Sequence, residues 1–351
     1  MDNPPIASPT PFPDLRPCAL PDLLARALDA RAGLLATDPE HRGALRLFNG
    51  FSEGCPDLAA DAYGTTLLLH DYSDPAQPEN ELAASAQSFF CERLPWLRAV
   101  VLKNRRPTGP GSDAGALVRG TAPACEIEEG GVRYAVDLLL NRDASFYLDT
   151  RNLRAWARAH LAGKTVLNTF AYTGSLGIAA RAGGAARVVQ LDRNPRFLAL
   201  GRRSWELNSF PPADATDWIA GDFFPQIARL KRRGARFDCV ILDPPVFAAT
   251  DYGVVDQLRD SARLINKVRP LIADGGFLVA VNNALFLPGQ ACRAALDELC
   301  AGGYLAVQEL IPVPDDITGF PATRVGSPVT DPAPFNHATK IAVLAVRRKA
   351  P

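Results

Sequence analysis

The sequence has no apolar run that approaches the ~20 residues a membrane-spanning helix needs. It shows no basic stretch leading into an apolar one near its start. Neither a membrane span nor a signal peptide is expected, and a cytoplasmic location is. An excess of one charge is lacking too, since 38 Lys and Arg offset 38 Asp and Glu. Phosphate neutralisation supplies most nucleic-acid affinity, so dedicated RNA binders usually carry a basic surplus. Zero net charge weighs against tight, unaided nucleic-acid binding. Seven cysteines are scattered with no Cys-x-x-Cys and no zinc spacing, and His41, His70, His160 and His337 form no ligand cluster. Free thiols and no metal site follow.

What is present is a soluble composition, 47% hydrophobic and 22% charged, over 351 residues. That length admits two domains, and no internal repeat is visible. Prolines crowd residues 1–20, so a flexible arm is expected there. A helix is expected over Leu20–Arg31, where Leu23, Leu24, Ala27 and Leu28 share a face. Strands are expected at Ala44–Phe48, Thr65–His70 and Ala99–Lys103, with turns over Gly50–Gly64 and a helix at Ala83–Leu94. Gly130-Gly131 marks a hairpin. Residues 21–136 therefore read as a small α+β domain, able to hold substrate. From residue 137 to 351 strands and helices alternate, which implies right-handed crossovers and a doubly wound α/β sheet. One long amphipathic helix is expected over Gln257–Ile272.

Three strand ends carry the chemistry of a nucleoside site. Asn168-x-Phe-x-Tyr-Thr-Gly174 follows a strand and opens a helix. Gly174 allows close backbone approach, and the helix start offers free N–H groups. Asp192 ends the next strand, where a carboxylate can accept from two ribose hydroxyls. Gly221-Asp222-Phe223 offers an acceptor for an adenine amino group and an aromatic wall. Helix capping is the competing reading for both Asp192 and Asp222.

The fourth strand, Phe237–Leu242, ends in Asp243-Pro-Pro-Val-Phe247. Two prolines fix the backbone and remove two donors, so the carbonyls before them are expected to point freely into the site. Such acceptors orient an amine or ring nitrogen for an in-line displacement, which gains mostly from positioning. Phe247 can stack on a flipped base. The competing reading is a rigid strand exit with a core phenylalanine.

The order of these pieces resembles a Rossmann-like class I S-adenosylmethionine (SAM) dependent methyltransferase. More closely, the chain resembles the bacterial 23S rRNA large-subunit methyltransferases of the I and K types. The matching segments are Ala44–Leu58 with Asp61-Ala-Tyr-Gly64, Val101–Lys103, Phe146–Arg151, Leu167–Gly174, Leu207-Asn208, Leu242–Phe247 and Asn282-Asn283. On this reading Asn168, Phe170, Tyr172, Thr173, Gly174, Asp192, Arg193, Asp222, Phe223 and Asp243 hold SAM. Asp243, Pro244, Pro245 and Phe247 orient the acceptor, with Asn282 as a polar neighbour. The resemblance alone places Phe146, Leu148 and Arg151 beside the cofactor. It also implies ribosomal RNA as the partner, and it leaves a homodimer open. Two departures bear on substrate. Members of the I type begin with a PUA RNA-binding domain, and the stretch before Leu20 is too short to hold one. Methylation of cytosine at C5 needs a thiolate that adds to the ring. After the fifth strand this chain reads Val279-Ala-Val-Asn-Asn283, without cysteine, and Cys239 and Cys292 read as core. Methylation of a base nitrogen is therefore the expected reaction. The alternatives are a small-molecule or protein methyltransferase, and a SAM-binding protein that docks on RNA without catalysis.

Weaker signals remain. Lys103, Arg105 and Arg106 are candidate phosphate contacts. Lys231–Arg233 reads as a solvated helix end. Asp331–His337 is either a lid carrying Phe335, Asn336 and His337 or a Pro-rich connector.

Overall fold

The computed structural model describes residues 19–74, 81–106, 115–212, 214 and 217–348. The expected arm at 1–20 lies almost wholly outside the described residues, as does most of the loop between Asn104 and Gly115.

The first layer contains α1 (Leu20–Ala30), α2 (Ala32–Ala36), β1 (Ala44–Asn49), α3 (Gly50–Glu53), β2 (Leu58–Tyr63), β3 (Thr66–Asp71), α4 (Leu82–Arg93), β4 (Ala99–Asn104) and β5 (Ala116–Arg119). The strands pair in chain order, antiparallel except β3 beside β4. That one parallel pair needs a crossover, and α4 supplies it. Leu24, Leu47, Leu67 and Phe90 pack between α1, α4 and the sheet. β2 was not foreseen, because Leu58-Ala-Ala-Asp-Ala-Tyr63 shows no apolar alternation. All six of its residues are buried, and a strand covered on both faces has no alternation to show.

A hairpin of β6 (Glu126–Glu129) and β7 (Val132–Ala135) leads into the main layer. That layer runs α5 (Arg151–His160), β8 (Thr165–Thr169), α6 (Ser175–Ala182), β9 (Arg187–Asp192), α7 (Pro195–Leu207), β10 (Trp218–Ala220), α8 (Phe223–Arg232), β11 (Phe237–Leu242), β12 (Phe247–Thr250), β13 (Gly253–Asp256), α9 (Ser261–Val268), β14 (Ile272–Asn282), α10 (Gly289–Cys300), β15 (Leu305–Ile311), α11 (Asp315–Thr318) and β16 (Lys340–Val346). Seven strands form the sheet β10-β9-β8-β11-β14-β16-β15, with β16 antiparallel to both neighbours and the rest of the ladder parallel. Residues of α5, α6 and α7 bury one face, and residues of α8, α9 and α10 the other. The hairpin β6–β7 packs on α7: Ala135 N donates to Ser204 Oγ at 2.9 Å, and Asn208 bonds both backbone groups of Arg133. Strand order reverses between β8 and β11, the usual place for a ligand crevice.

The long helix expected over Gln257–Ile272 does not form. Asp256 accepts from the N–H groups of Leu258 and Arg259 and turns the chain. Helix α9 starts only at Ser261. The stretch ahead of it is a two-stranded ribbon, β12–β13.

Two buried carboxylates join the layers. Glu53 accepts from both terminal guanidinium nitrogens of Arg31, at 2.9 and 3.0 Å, and from Asn49 N and Thr323 Oγ1. Asp316 of α11 accepts from Arg151 at 2.7 and 3.0 Å and from Arg46 N at 2.9 Å. Removing one member strands the other charges inside, which costs about 3 kcal/mol or more for buried pairs. Asp316→Ala is expected to lower the unfolding free energy by about that much, measured by urea denaturation. An unchanged midpoint would show that the junction contributes little.

Candidate functional site

A cavity of about 760 Å³ opens where β8, β9 and β11 end. Its back is the turn after β8. Phe170, Tyr172 and Gly174 all have positive φ, at 53°, 52° and 79°. Left-handed phenylalanine and tyrosine are costly and persist only when neighbours hold them. Here Ala171 N donates to Leu191 O, Tyr172 N to Asp192 Oδ2 and Thr173 Oγ1 to Ser145 O, at 2.7–2.9 Å. The turn then delivers the start of α6, whose first N–H groups have no helical partner.

Gln190, fully buried in β9, was missed from sequence. Its Oε1 accepts from Asn168 Nδ2 at 2.8 Å and its Nε2 donates to Gly174 O at 3.0 Å. A Cβ at Gly174 or Gly177 would sit 2.8 or 2.3 Å from that Nε2. The glycines are thus required by the amide as well as by φ. The only advance signal was a glutamine inside an apolar strand.

Asp192 accepts from Tyr172 N and Asn194 N, both at 2.8 Å. Burial pushes its carboxyl above the ordinary value. The cap of α7 is Asn194, which accepts from Arg196 N, so Asp192 stands on the cavity wall with Arg193 beside it. Asp222 does both jobs: it caps α8 through Phe224 N at 2.9 Å and lines the cavity. Phe223 stacks on Phe170 with centroids 4.6 Å apart.

Asn168 and Thr173 stand behind the wall and support it. Asn168 is buried, with Oδ1 lacking any protein partner. The segment 146–151 contributes differently from the resemblance. Tyr147, Asp149 and Thr150 line the cavity, while Phe146 and Leu148 turn into the core. Arg151 is taken up by Asp316 and Glu129.

At the end of β11, Asp243 lines the cavity with Pro244 and Pro245. Burial and the nearby Asp149 carboxylate push its pKa up to about 7, against a bond from Asn283 Nδ2 at 3.1 Å. Asp149 in turn accepts from Thr339 Oγ1 at 2.7 Å. The Pro244 carbonyl does not point freely into the site, because Gln257 Nε2 donates to it, and Gln257 Oε1 accepts from Asn283 N. Asn282 faces away, bonding Gln257 O and Ser261 Oγ. Its neighbour Asn283 is the residue on the wall. Phe247 begins β12 and is 63% exposed, at the rim between two lining residues, Val246 and Ala248. It stands neither in the cavity nor in the core.

Two other expectations change. Lys103 is buried and donates to backbone carbonyls of Asn141 and Asp143, so it cannot serve as a phosphate contact. The 331–337 stretch is a connector: Phe335 packs in the core and Asn336 bonds both backbone groups of Val313. Among the described residues no cysteine lines the cavity and no metal-holding group exists. Cys239 is buried in β11 with its thiol pushed up by desolvation.

These features fit a nucleoside cofactor: half-buried carboxylates on the wall at Asp192 and Asp222, and the aromatic pair Phe170–Phe223. Residues 45–298 match the family model described as S-adenosylmethionine-dependent methyltransferase. The chain is 33% identical over 271 residues to YwbD of Bacillus subtilis, provisionally named a ribosomal RNA large subunit methyltransferase, covering 74% of this chain and 65% of that protein. It is 32% identical to Ribosomal RNA large subunit methyltransferase I of Aeromonas salmonicida, over 67% of this chain and 59% of that one. The chain thus spans about two thirds or less of these relatives. In fold it is similar to SMU.776, solved with SAH, at TM-score 0.77 and 24% identity, covering 93% and 81% of the two chains. Asp192→Ala is expected to raise the dissociation constant for S-adenosylhomocysteine at least about tenfold, the weight of a charge-assisted hydrogen bond. Calorimetric titration measures it, and unchanged affinity would remove Asp192 from the cofactor site.

Proposed function

We propose that this chain, which belongs to the S-adenosylmethionine-dependent methyltransferase family, methylates a nitrogen of a ribosomal RNA base without a covalent enzyme–base intermediate. SAM is the cofactor, and when bound it supplies an electrophilic methyl group on a sulfonium. Asp192, Asp222 and the Phe170–Phe223 pair hold its adenosine end. Asn141, Tyr147, Tyr172 and the start of α6 frame the remainder. The chain's own contribution is to orient the acceptor and to exclude water.

The observation that carries the reading is the wall of the cavity at β11. Asp243, beside Asp149 and Asn283, is present there, and no cysteine among the described residues is. A carboxyl with a pKa near 7 exists in both forms at neutral pH. Its ionised form accepts a hydrogen bond from a base amino group and fixes the nitrogen for in-line attack. Ribosomal RNA is favoured over a small or protein acceptor because the curated relatives are named as ribosomal RNA methyltransferases. The exposed Phe247, between the lining residues Val246 and Ala248, supplies a surface on which a base can stack.

With labelled SAM and large-subunit ribosomal RNA, Asp243→Ala is expected to lose at least about 100-fold in turnover, the weight of a positioned acid–base group. Affinity for S-adenosylhomocysteine should survive. In the unaltered protein kcat/KM should rise with pH through about 7 as the Asp243 carboxylate forms. Asp243→Asn should remove that step. Cys239→Ala and Cys292→Ala should leave turnover intact; loss of activity in a folded cysteine variant would contradict the non-covalent route.

A further inference from the structure

We propose that Lys103 is a positioning residue whose ammonium, projecting from the first sheet, fixes the Asn141–Asp143 wall of the cofactor cavity. The inference rests on the cavity being the cofactor site. Lys103 is the penultimate residue of β4, beside His70 of β3, and is only 1% exposed. Its Nζ donates to the backbone carbonyls of Asn141 and of Asp143, the latter at 2.9 Å. Both of those residues line the cavity. The wall continues through side chains: Tyr147 OH donates to Asp143 Oδ2 at 3.0 Å, and Tyr172 OH lies 3.4 Å from Asn141 Oδ1.

Arg105, two residues on, grips the same segment. It donates to Arg142 O, accepts from Arg142 at its own carbonyl, and lies 3.6 Å from the Asp143 carboxylate. Lys103 and Arg105, near and just beyond the end of β4, therefore hold the segment Asn141–Asp143, whose first and last residues line the cavity. Gly115 packs close to the lysine stem, since a Cβ there would come within 3.2 Å of Cε. A lysine is a costly choice for a buried strand end that an apolar residue could fill. Two inward carbonyls explain it, because they need a donor that reaches both. The charged groups around it are Asp143 and Asp137, which favour the ammonium, and Arg105, which opposes it. His70 stands alongside, tied to Asp61, which also holds Arg46. Burial dominates and lowers the lysine to about 8.

The test is calorimetric binding of S-adenosylhomocysteine from pH 7 to 9 to the unaltered protein, Lys103→Arg and Lys103→Met. Thermal unfolding of each free protein controls for folding. If only the ammonium state binds, affinity of the unaltered protein drops about tenfold by pH 9, as the competent fraction falls. Lys103→Arg stays charged, so its profile lacks that drop. The ligand's own amine titrates alike with every variant, so the difference between profiles isolates Lys103. Lys103→Met is expected to bind at least about tenfold more weakly at pH 7 while remaining folded. Identical profiles for the unaltered protein and Lys103→Arg overturn the proposal, as does a folded Lys103→Met with unaltered affinity. Should Lys103→Met fail to fold, the other two profiles decide. Absence of binding to the unaltered protein at pH 7 would instead overturn the cavity's assignment.

Discussion

The site depends on one buried amide. Gln190 sits in the middle of β9 and spans the gap to the turn after β8, accepting from Asn168 and donating to Gly174. A buried amide left unsatisfied is expensive, so the turn must present its carbonyl inward. That requirement bends the chain into left-handed conformations at Phe170, Tyr172 and Gly174. The bend aims Tyr172 N at Asp192 and exposes the start of α6 to the cavity. No side chain at 174 or 177 fits beside the amide. The cavity is the space this turn leaves between itself and the end of β11.

A second constraint closes the opposite wall. Gln257 joins the Pro244 carbonyl to Asn283 N and so locks the strand exits of β11 and β14 together. Asn283 can then reach Asp243. Methyl transfer has little covalent work for a protein to do beyond placing two reactants in line. A wall cross-linked by buried amides suits that task, because packed polar networks rigidify once every partner is met. The first layer holds a different part of the lining, the Asn141–Asp143 segment, through Lys103 and Arg105, and is itself held to the main layer by Glu53 and Asp316.

Much of this was legible in the sequence. The parallel strands read as apolar runs with acidic or polar tips, and their order gave the doubly wound sheet. Asp192, Asp222 and Asp243 stood out because each follows a strand in the order of a nucleoside site, although helix capping competed for the first two and Asp222 does cap α8. What could not be read depends on side-chain direction. In the segment 146–151, neighbouring residues turn to opposite sides, so Tyr147 and Asp149 line the cavity where Phe146 and Leu148 do not. Asn282 and Asn283 divide in the same way. Gln190, Gln257 and Lys103 are polar residues buried for partners distant in sequence, and no local pattern announces those. The ribbon β12–β13 was hidden because its short strands blend into the helical periodicity that follows.

The most direct measurement is identification of the methylated product. Labelled SAM, the purified protein, and total RNA plus large ribosomal subunits from a strain lacking this gene would be incubated, and the RNA digested to nucleosides. Label is expected in a base methylated on nitrogen. Label in 5-methylcytidine would contradict the non-covalent mechanism, and RNA left unlabelled by a protein that binds SAM would contradict the assignment of substrate.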